Sequence, residues 1–217
     1  MARKGLARRL HQRATRARLD LTATLLEQLT AYVELLQRWN ERMNLTALDD
    51  RDTGLDRLVI EPLVAARHLP SLAARVIDVG SGGGSPAIPL RLAMQGGSML
   101  MVETKTRKAA FLREAIRQLG LEETRVEPGR FESLLAVPDL HEAFDVLTLR
   151  AVRVEGRVLR GVQAFLRPGG ALFLFRAGRD EPAGIEPPLR WRATYPLVDS
   201  LRSRLVVVEK DRALANK

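Results

Sequence analysis

Between residues 20 and 43 the apolar positions Leu21, Leu25, Leu29, Tyr32, Leu36 and Trp39 recur every three or four residues. That spacing builds one face of an amphipathic α-helix. Asp20 and Thr22 stand where such a helix is capped, and WNERMNLTAL closes it. A further helix is expected from about Thr53 to His68, kinked at Pro62 because proline cannot continue the backbone hydrogen-bond ladder. From Arg75 the pattern changes. Short apolar runs (RVIDVG, SMLMVET, TRVEPG, FDVLTLRAV, ALFLFRAG) alternate with helix-length stretches, one of them closed by Gly120, and RPGG reads as a turn. RWRATYPLV and SRLVVVEK follow as two strands joined by a short connection, hence antiparallel. Strands alternating with helices of 10–15 residues predict a doubly wound, mostly parallel α/β sheet of seven strands. Ligands of such sheets bind at the carboxyl ends of the strands. The predicted division is a helical extension over residues 1–70 and an α/β domain over 71–217.

Charge adds a second theme. The chain has 217 residues, 35 Lys and Arg against 26 Asp and Glu, a net charge of +9 and a pI near 10.8. Such a balance favours a polyanionic partner, most often nucleic acid. The first nineteen residues hold Arg3, Lys4, Arg8, Arg9, Arg13, Arg16 and Arg18 with no acid. Leu6, Leu10 and Ala14 allow a basic helix there, read as an arm that is disordered when free and dispensable for folding. There is no cysteine, which removes disulfides, thiolate metal sites and thiol nucleophiles. No apolar run reaches membrane-spanning length and no secretory signal follows the basic start, so a cytoplasmic protein is expected, with no metal and no membrane partner.

The candidate chemistry sits in RVIDVGSGGGSPAIPL, residues 75–90. Gly80, Gly82 and Gly84 follow the first strand with the spacing G-x-G-x-G, not the dinucleotide fingerprint G-x-G-x-x-G. Backbone N–H groups ahead of a helix favour an anionic group, either a pyrophosphate or an amino-acid carboxylate. Glu103 ends the second strand about twenty residues on, where a carboxylate can accept both ribose hydroxyls. Loop and acid together indicate an adenosine-bearing cofactor; NAD stays open, although the glycine spacing disfavours it.

These residues resemble the first motif of class I S-adenosylmethionine-dependent methyltransferases. More narrowly, the chain resembles the bacterial small-subunit ribosomal RNA guanine-N7 methyltransferase family, also called glucose-inhibited division protein B. RWNERMNLTAL, IDVGSGGGSPAIPL, KTRKAAFL, GRFESL and LRAV match its motifs in order from about Arg38 to Gly178. The resemblance implies a Rossmann-like methyltransferase sheet binding S-adenosylmethionine. Asp78, Gly80, Gly82, Gly84, Ser85 and Glu103 would form the cofactor loop and its acid, with Phe131 and Glu132 at the adenine end. Arg150 would meet cofactor or substrate at the mouth of the fourth strand and is the candidate catalytic residue. Glu132 also fits a plain helix N-terminal acid, and Arg150 a surface salt bridge. Asn44 and Thr46 read as a helix stop and turn. The implied partner is ribosomal RNA or the small ribosomal subunit, and the implied state a monomer.

The chain departs from the family pattern on the substrate side. Leu58, Glu61 and Pro62 replace the His, Asp and Ser of a usual H-x-x-D-S, Ala87 replaces a glycine, and Arg176 replaces a lysine. The expected reaction is methylation of a base in ribosomal RNA, with guanine N7 the leading acceptor. N7 offers a lone pair and no proton, so no general base is required, and His11, His68 and His141 lie outside every motif. Without cysteine, C5-methylation through thiol addition is excluded, and no [DN]-P-P-[FYW] follows the fourth strand. Arg107, Lys108, Arg150, Arg153, Arg157, Arg160 and the N-terminal arm are the candidate RNA contacts. Another acceptor, a non-catalytic RNA-binding module and an NAD(P)-dependent oxidoreductase are the alternatives; the last would need a Tyr/Lys or His proton donor that the motifs do not supply.

Overall fold

The computed structural model describes residues 2–43, 45, 52–150, 155–177 and 184–212. Asn44, Thr46 and Arg153 lie outside the described residues. Seven strands form one sheet: β1 (Arg75–Val79), β2 (Ser98–Glu103), β3 (Thr124–Pro128), β4 (Phe144–Arg150), β5 (Leu166–Ala177), β6 (Leu189–Pro196) and β7 (Ser203–Lys210). Their order is β3-β2-β1-β4-β5-β7-β6. β1 to β5 pair in parallel, and β7 is antiparallel to both β5 and β6. The sheet is the doubly wound one that the alternation of strands and helices predicts. RPGG is not a separate turn: it lies inside β5, where the β4–β5 register shifts between Phe144 and Val146. Gly169 there takes a positive φ of 77°, so glycine carries the irregularity within the strand.

The helices before the sheet are α1 (Ala2–Arg16), α2 (Ala23–Met43), α3 (Asp52–Leu55), a π-helical stretch (Asp56–Ile60) and α4 (Glu61–Ala66). After β1 come α5 (Ala87–Ala93), α6 (Thr106–Leu119), α7 (Phe131–Leu134) and α8 (Gly156–Val162). Gly120 ends α6 in the left-handed conformation, φ 61°, the geometry for which glycine is favoured.

Alternation along the strands divides the interior. Ile77, Val79, Leu147 and Leu149 face a cluster with Leu159 and Val162 of α8. Val76, Met99, Met101, Val146 and Phe173 face the opposite cluster, shared with α1, α2, α4 and α6. Period two therefore also places Asp78, Glu103, Thr148 and Arg150 on the side covered by the N-terminal helices. Arg150 at the end of β4 thus meets the extension, bonding Glu61 and the Arg57 carbonyl.

The N-terminal arm is the helix its apolar spacing allows, and it is docked on the fold, which corrects the expectation that it is disordered. Leu6, Leu10 and Ala14 are buried in the same cluster as Leu29 and Tyr32. They recur at four-residue spacing, so one narrow apolar stripe suffices to seat an otherwise basic helix. Arg3, Lys4, Arg8 and Arg16 point outward. Leu10 is fully buried. Leu10→Ala is accordingly expected to lower the unfolding free energy by about 2–5 kcal/mol in urea titrations. A loss below ~0.5 kcal/mol, the range of ordinary surface substitutions, would restore the reading of a disordered arm.

Candidate active site

A cavity of about 890 Å³ opens at the carboxyl ends of the parallel strands. The loop after β1 forms one wall with Gly80, Ser81, Gly82, Gly83 and Ser85, and Glu103 at the end of β2 adjoins it. Across from them stand Arg57, Leu58 and Glu61 of the helical extension, together with Arg150 and Phe175 from β4 and β5. Lys108, Arg176, Leu201 and Ser203 complete much of the rim.

The loop is bare because its backbone leaves no choice. Gly80, Gly82 and Gly84 have φ of 80°, 54° and 87°, a region L side chains avoid. A Cβ on Gly84 would stand 2.5 Å from Ile88 Cδ1. The loop also closes on its neighbours. Val102 O accepts from Gly80 N at 2.9 Å and Ser81 N at 3.1 Å, and Ser81 O accepts from Gly84 N at 2.7 Å. Tyr32 of α2 donates its hydroxyl to Gly83 O at 2.8 Å, and complete burial raises the phenol's pKa. Sequence reasoning placed Tyr32 in an apolar stripe and missed this contact; one hydroxyl among leucines was the available signal.

Glu103 is buried and works on the loop. Oε2 accepts from Gly82 N at 2.7 Å; Oε1 accepts from Lys105 N at 2.8 Å and Thr104 Oγ1 at 3.3 Å. Two carboxylate oxygens offer about four lone-pair sites, so one on Oε2 is left for a ligand.

Arg150 is the polar centre of the opposite wall. Nη2 donates to Glu61 Oε2 at 2.6 Å, and Nη1 donates to Ser85 Oγ at 3.0 Å and to the carbonyl of Arg57. The guanidinium carbon lies 4.5 Å from the Phe175 ring centroid. Ser85 in turn donates to Leu58 O at 2.9 Å. Those two carbonyls are free for a reason written in the sequence. Pro62 has no N–H to return to the carbonyls four and five residues back, Leu58 and Arg57. The turn widens instead, with Glu61 N–H bonding Asp56 O in the i→i−5 pattern. The kink expected at Pro62 is therefore a π-turn just before it, and it turns its carbonyls to the site. Burial dominates the titration of both charged partners: it raises Glu61 and lowers Arg150, while each opposes the other's shift. Arg150 stays charged regardless. The Arg150 ion pair is partly buried, not a surface one.

The remaining sequence candidates fall elsewhere. Asp78 lies beneath the loop, fully buried, and does not line the cavity. Its Oδ1 accepts from Thr148 Oγ1, while Oδ2 has no partner among the described residues. Gly84 is buried behind the wall. Phe131 and Glu132 begin α7 outside the cavity lining; Phe131 packs near Gly161 and Glu132 is exposed. Arg107, Arg157 and Arg160 are exposed, and Arg160 pairs with Glu186 at 3.3 Å. His68 stacks on Tyr195, and His141 Nε2 lies 2.8 Å from Leu135 O. Among the described residues no group of three or more His, Cys, Asp or Glu could hold a metal ion, and no helix is long and apolar enough to cross a membrane.

A seven-stranded sheet with a reversed β7, a glycine turn after β1 and an acid ending β2 together define a class I S-adenosylmethionine-dependent methyltransferase. The fold matches that of a solved mutant of MtNAS in complex with S-adenosylmethionine, with a TM-score of 0.58 and 17% identity over 86% of this chain and 77% of that one. Residues 25–185 match the family described as rRNA small subunit methyltransferase G, and the chain belongs to that family. It is 36% identical to the ribosomal RNA small subunit methyltransferase G of Halorhodospira halophila, over 87% of this chain and 85% of the relative. With the protein of that name from Stenotrophomonas maltophilia it shares 37% identity over 81% and 80% of the two chains. The methyl donor is S-adenosylmethionine and the reaction is methylation of ribosomal RNA.

Two outcomes follow from this geometry. Gly84→Ala should lose about 1–2 kcal/mol of stability from its left-handed backbone, with a further loss from the Ile88 contact, read by denaturant titration. Burial raises the Asp78 carboxyl, so the native state holds its proton above the ordinary carboxylate pKa of about 4. The contribution of Asp78 to stability is therefore greatest at low pH and falls as pH rises through the elevated native value. In parallel urea melts, the wild type should lose ground to Asp78→Asn as pH increases; a constant difference would mean that Asp78 is ionised in the native state.

Proposed function

We propose that methyl transfer takes place in the cavity between the glycine loop and the π-turn, with N7 of a guanine in small-subunit ribosomal RNA as the acceptor. The observation that carries this reading is the convergence of Glu103, the Gly80–Ser85 loop and Arg150 on one cavity. The ribose hydroxyls of the donor would use the remaining acceptor site of Glu103. Its amino-acid end would lie along Gly80, Gly82 and Ser85, where the N–H groups of Gly83 and Ser85 carry no backbone partner among the described residues. The adenine would extend past the end of β2 towards Phe131 and Glu132.

Transfer from a sulfonium is an in-line displacement with a neutral thioether leaving. The protein's task is alignment, a proximity effect. Guanine N7 has no proton to lose, so the carboxylates at the site serve structure: Glu103 orders the loop and Glu61 holds Arg150. Arg150 faces the acceptor side and bounds where the base can sit. Arg57, Lys108 and Arg176 line the same cavity, and Arg57 also feels the charge of Glu61. They suit RNA phosphates close to the target. In A-form RNA, N7 lies in a groove too deep and narrow for side chains, so the target belongs to a loop or an opened segment. The reading carries with it a monomeric, cytoplasmic enzyme that works on the small subunit or its RNA.

Glu103→Ala should weaken S-adenosylmethionine binding by roughly 1.5–3 kcal/mol in calorimetry, the loss of a hydrogen bond to a charged acceptor. Gly82→Val should weaken it further, because Gly82 sits at φ 54° against the ligand wall. Unchanged affinity in both variants would move the cofactor out of this cavity. The acceptor is tested separately, with labelled donor and small-subunit RNA or particles that lack the modification. Reduction and aniline cleavage should map the label to 7-methylguanosine, whereas label on another atom would reject N7 and keep the class.

A further inference from the structure

The basic helix α1 is tied through Arg13 to the residue just before the cavity-lining Arg57 and Leu58. This guanidinium is 14% exposed and lies against Asp56, which is 1% exposed. Nε donates to Oδ1 at 2.7 Å and Nη2 donates to Oδ2. Nη1 stands 3.6 Å from Asp52 Oδ2, and Arg9 Nε donates to Asp52 Oδ1 at 3.1 Å. A third element joins from the other side: Ser200 Oγ, in the connection between β6 and β7, donates to Asp56 Oδ2 at 3.2 Å.

Asp56 thus sits where two cavity walls originate. It is the first residue of the π stretch, and its carbonyl accepts the i→i−5 bond from Glu61. The next two carbonyls, of Arg57 and Leu58, hold Arg150 and Ser85. Ser200 leads to Leu201 and Ser203, which line the other wall. α1 precedes residues 25–185, the stretch that matches the family, so the arginine of this clamp comes from outside that stretch and its aspartate from within it.

We propose that Arg13 and Asp56 are positioning residues for methyl transfer, fixing from α1 the π-turn that orients Arg150 and Ser85. The proposal rests on placing the reaction in this cavity. A bidentate guanidinium–carboxylate pair fixes plane and distance together, which apolar packing of Leu6, Leu10 and Ala14 does not. A lysine supplies charge without the planar fork. The positioning runs through main-chain carbonyls, so its loss displaces Arg150 without removing any group that touches substrate. Displacements of about 1 Å at a reacting centre can cost on the order of a hundredfold in rate. The same link joins the exposed cations of α1 to the acceptor wall, so RNA docked on α1 and the reactive geometry share one rigid connection.

The test measures steady-state kinetics on small-subunit RNA at saturating donor, with donor affinity by calorimetry and folding by circular dichroism. Folded Arg13→Gln should lose at least tenfold in kcat while its affinity for S-adenosylmethionine stays within about twofold. Arg13→Lys should recover part of kcat. If Arg13→Gln does not fold, Arg13→Gln combined with Asp56→Asn removes both buried charges and should show the same loss of kcat. Either folded variant with kcat within twofold of wild type, whatever its KM for RNA, overturns the proposal and leaves Arg13 an RNA contact or a plain structural link. The underlying site fails by a different result: Glu103→Ala and Gly82→Val both binding the donor as wild type does.

Discussion

The site depends on a guanidinium placed where water cannot solvate it well. Arg150 cannot shed its charge, so the surrounding chain must answer it with acceptors. Four segments do so: Glu61 of α4, the Arg57 carbonyl of the π-turn, the Ser85 hydroxyl of the glycine loop and the Phe175 ring of β5. Burying two opposite charges carries a desolvation cost that their attraction alone need not offset. The downward shift of Arg150 and the upward shift of Glu61 both have burial as their largest cause. What the arrangement secures is geometry. It ties an N-terminal helix, a strand end and the cofactor loop to one rigid centre.

That centre joins the helical extension to the sheet at the site. Strand alternation aims Glu103, Asp78 and Arg150 at the face that the extension covers. The extension returns Tyr32 to Gly83, and Leu58 and Glu61 to Ser85 and Arg150. The glycine loop is thereby gripped from both sides: Glu103 holds Gly82 from the sheet, and Tyr32 holds Gly83 from α2. Without those grips, the four glycines Gly80, Gly82, Gly83 and Gly84 would have a large conformational freedom to lose on binding. With them, the loop is set before the donor arrives.

Much of this was legible in the sequence because it obeys local rules. Alternating strands and helices, the G-x-G-x-G turn and the acid ending β2 each follow from short-range periodicity. The seven-stranded sheet follows from their order, whereas the methyltransferase class came from the resemblance of the motifs to a known family. The N-terminal helix was legible from the spacing of Leu6, Leu10 and Ala14, but its docking was not: charge dominates the composition, and so narrow a stripe does not say what buries it. The π-turn was half legible. Pro62 signalled a broken ladder, but which side chains would claim the freed carbonyls depends on Ser85 and Arg150, 27 and 93 residues away from their partners. Arg13 with Asp56 and Tyr32 with Gly83 are likewise long-range pairings that no periodicity encodes. The departures at Glu61 and Pro62, which looked like drift on the substrate side, turn out to build the clamp on Arg150.

The most direct test is a crystal structure with S-adenosylhomocysteine bound. The product should lie between the glycine loop and the π-turn, its ribose hydroxyls on Glu103 and its thioether sulfur opening towards the wall formed by Arg150, with the Arg150–Glu61–Ser85 contacts intact. Product bound on the other face of the sheet, or a loop that must break its bonds to Glu103 and Tyr32 to admit it, would contradict a pre-set site organised around Arg150.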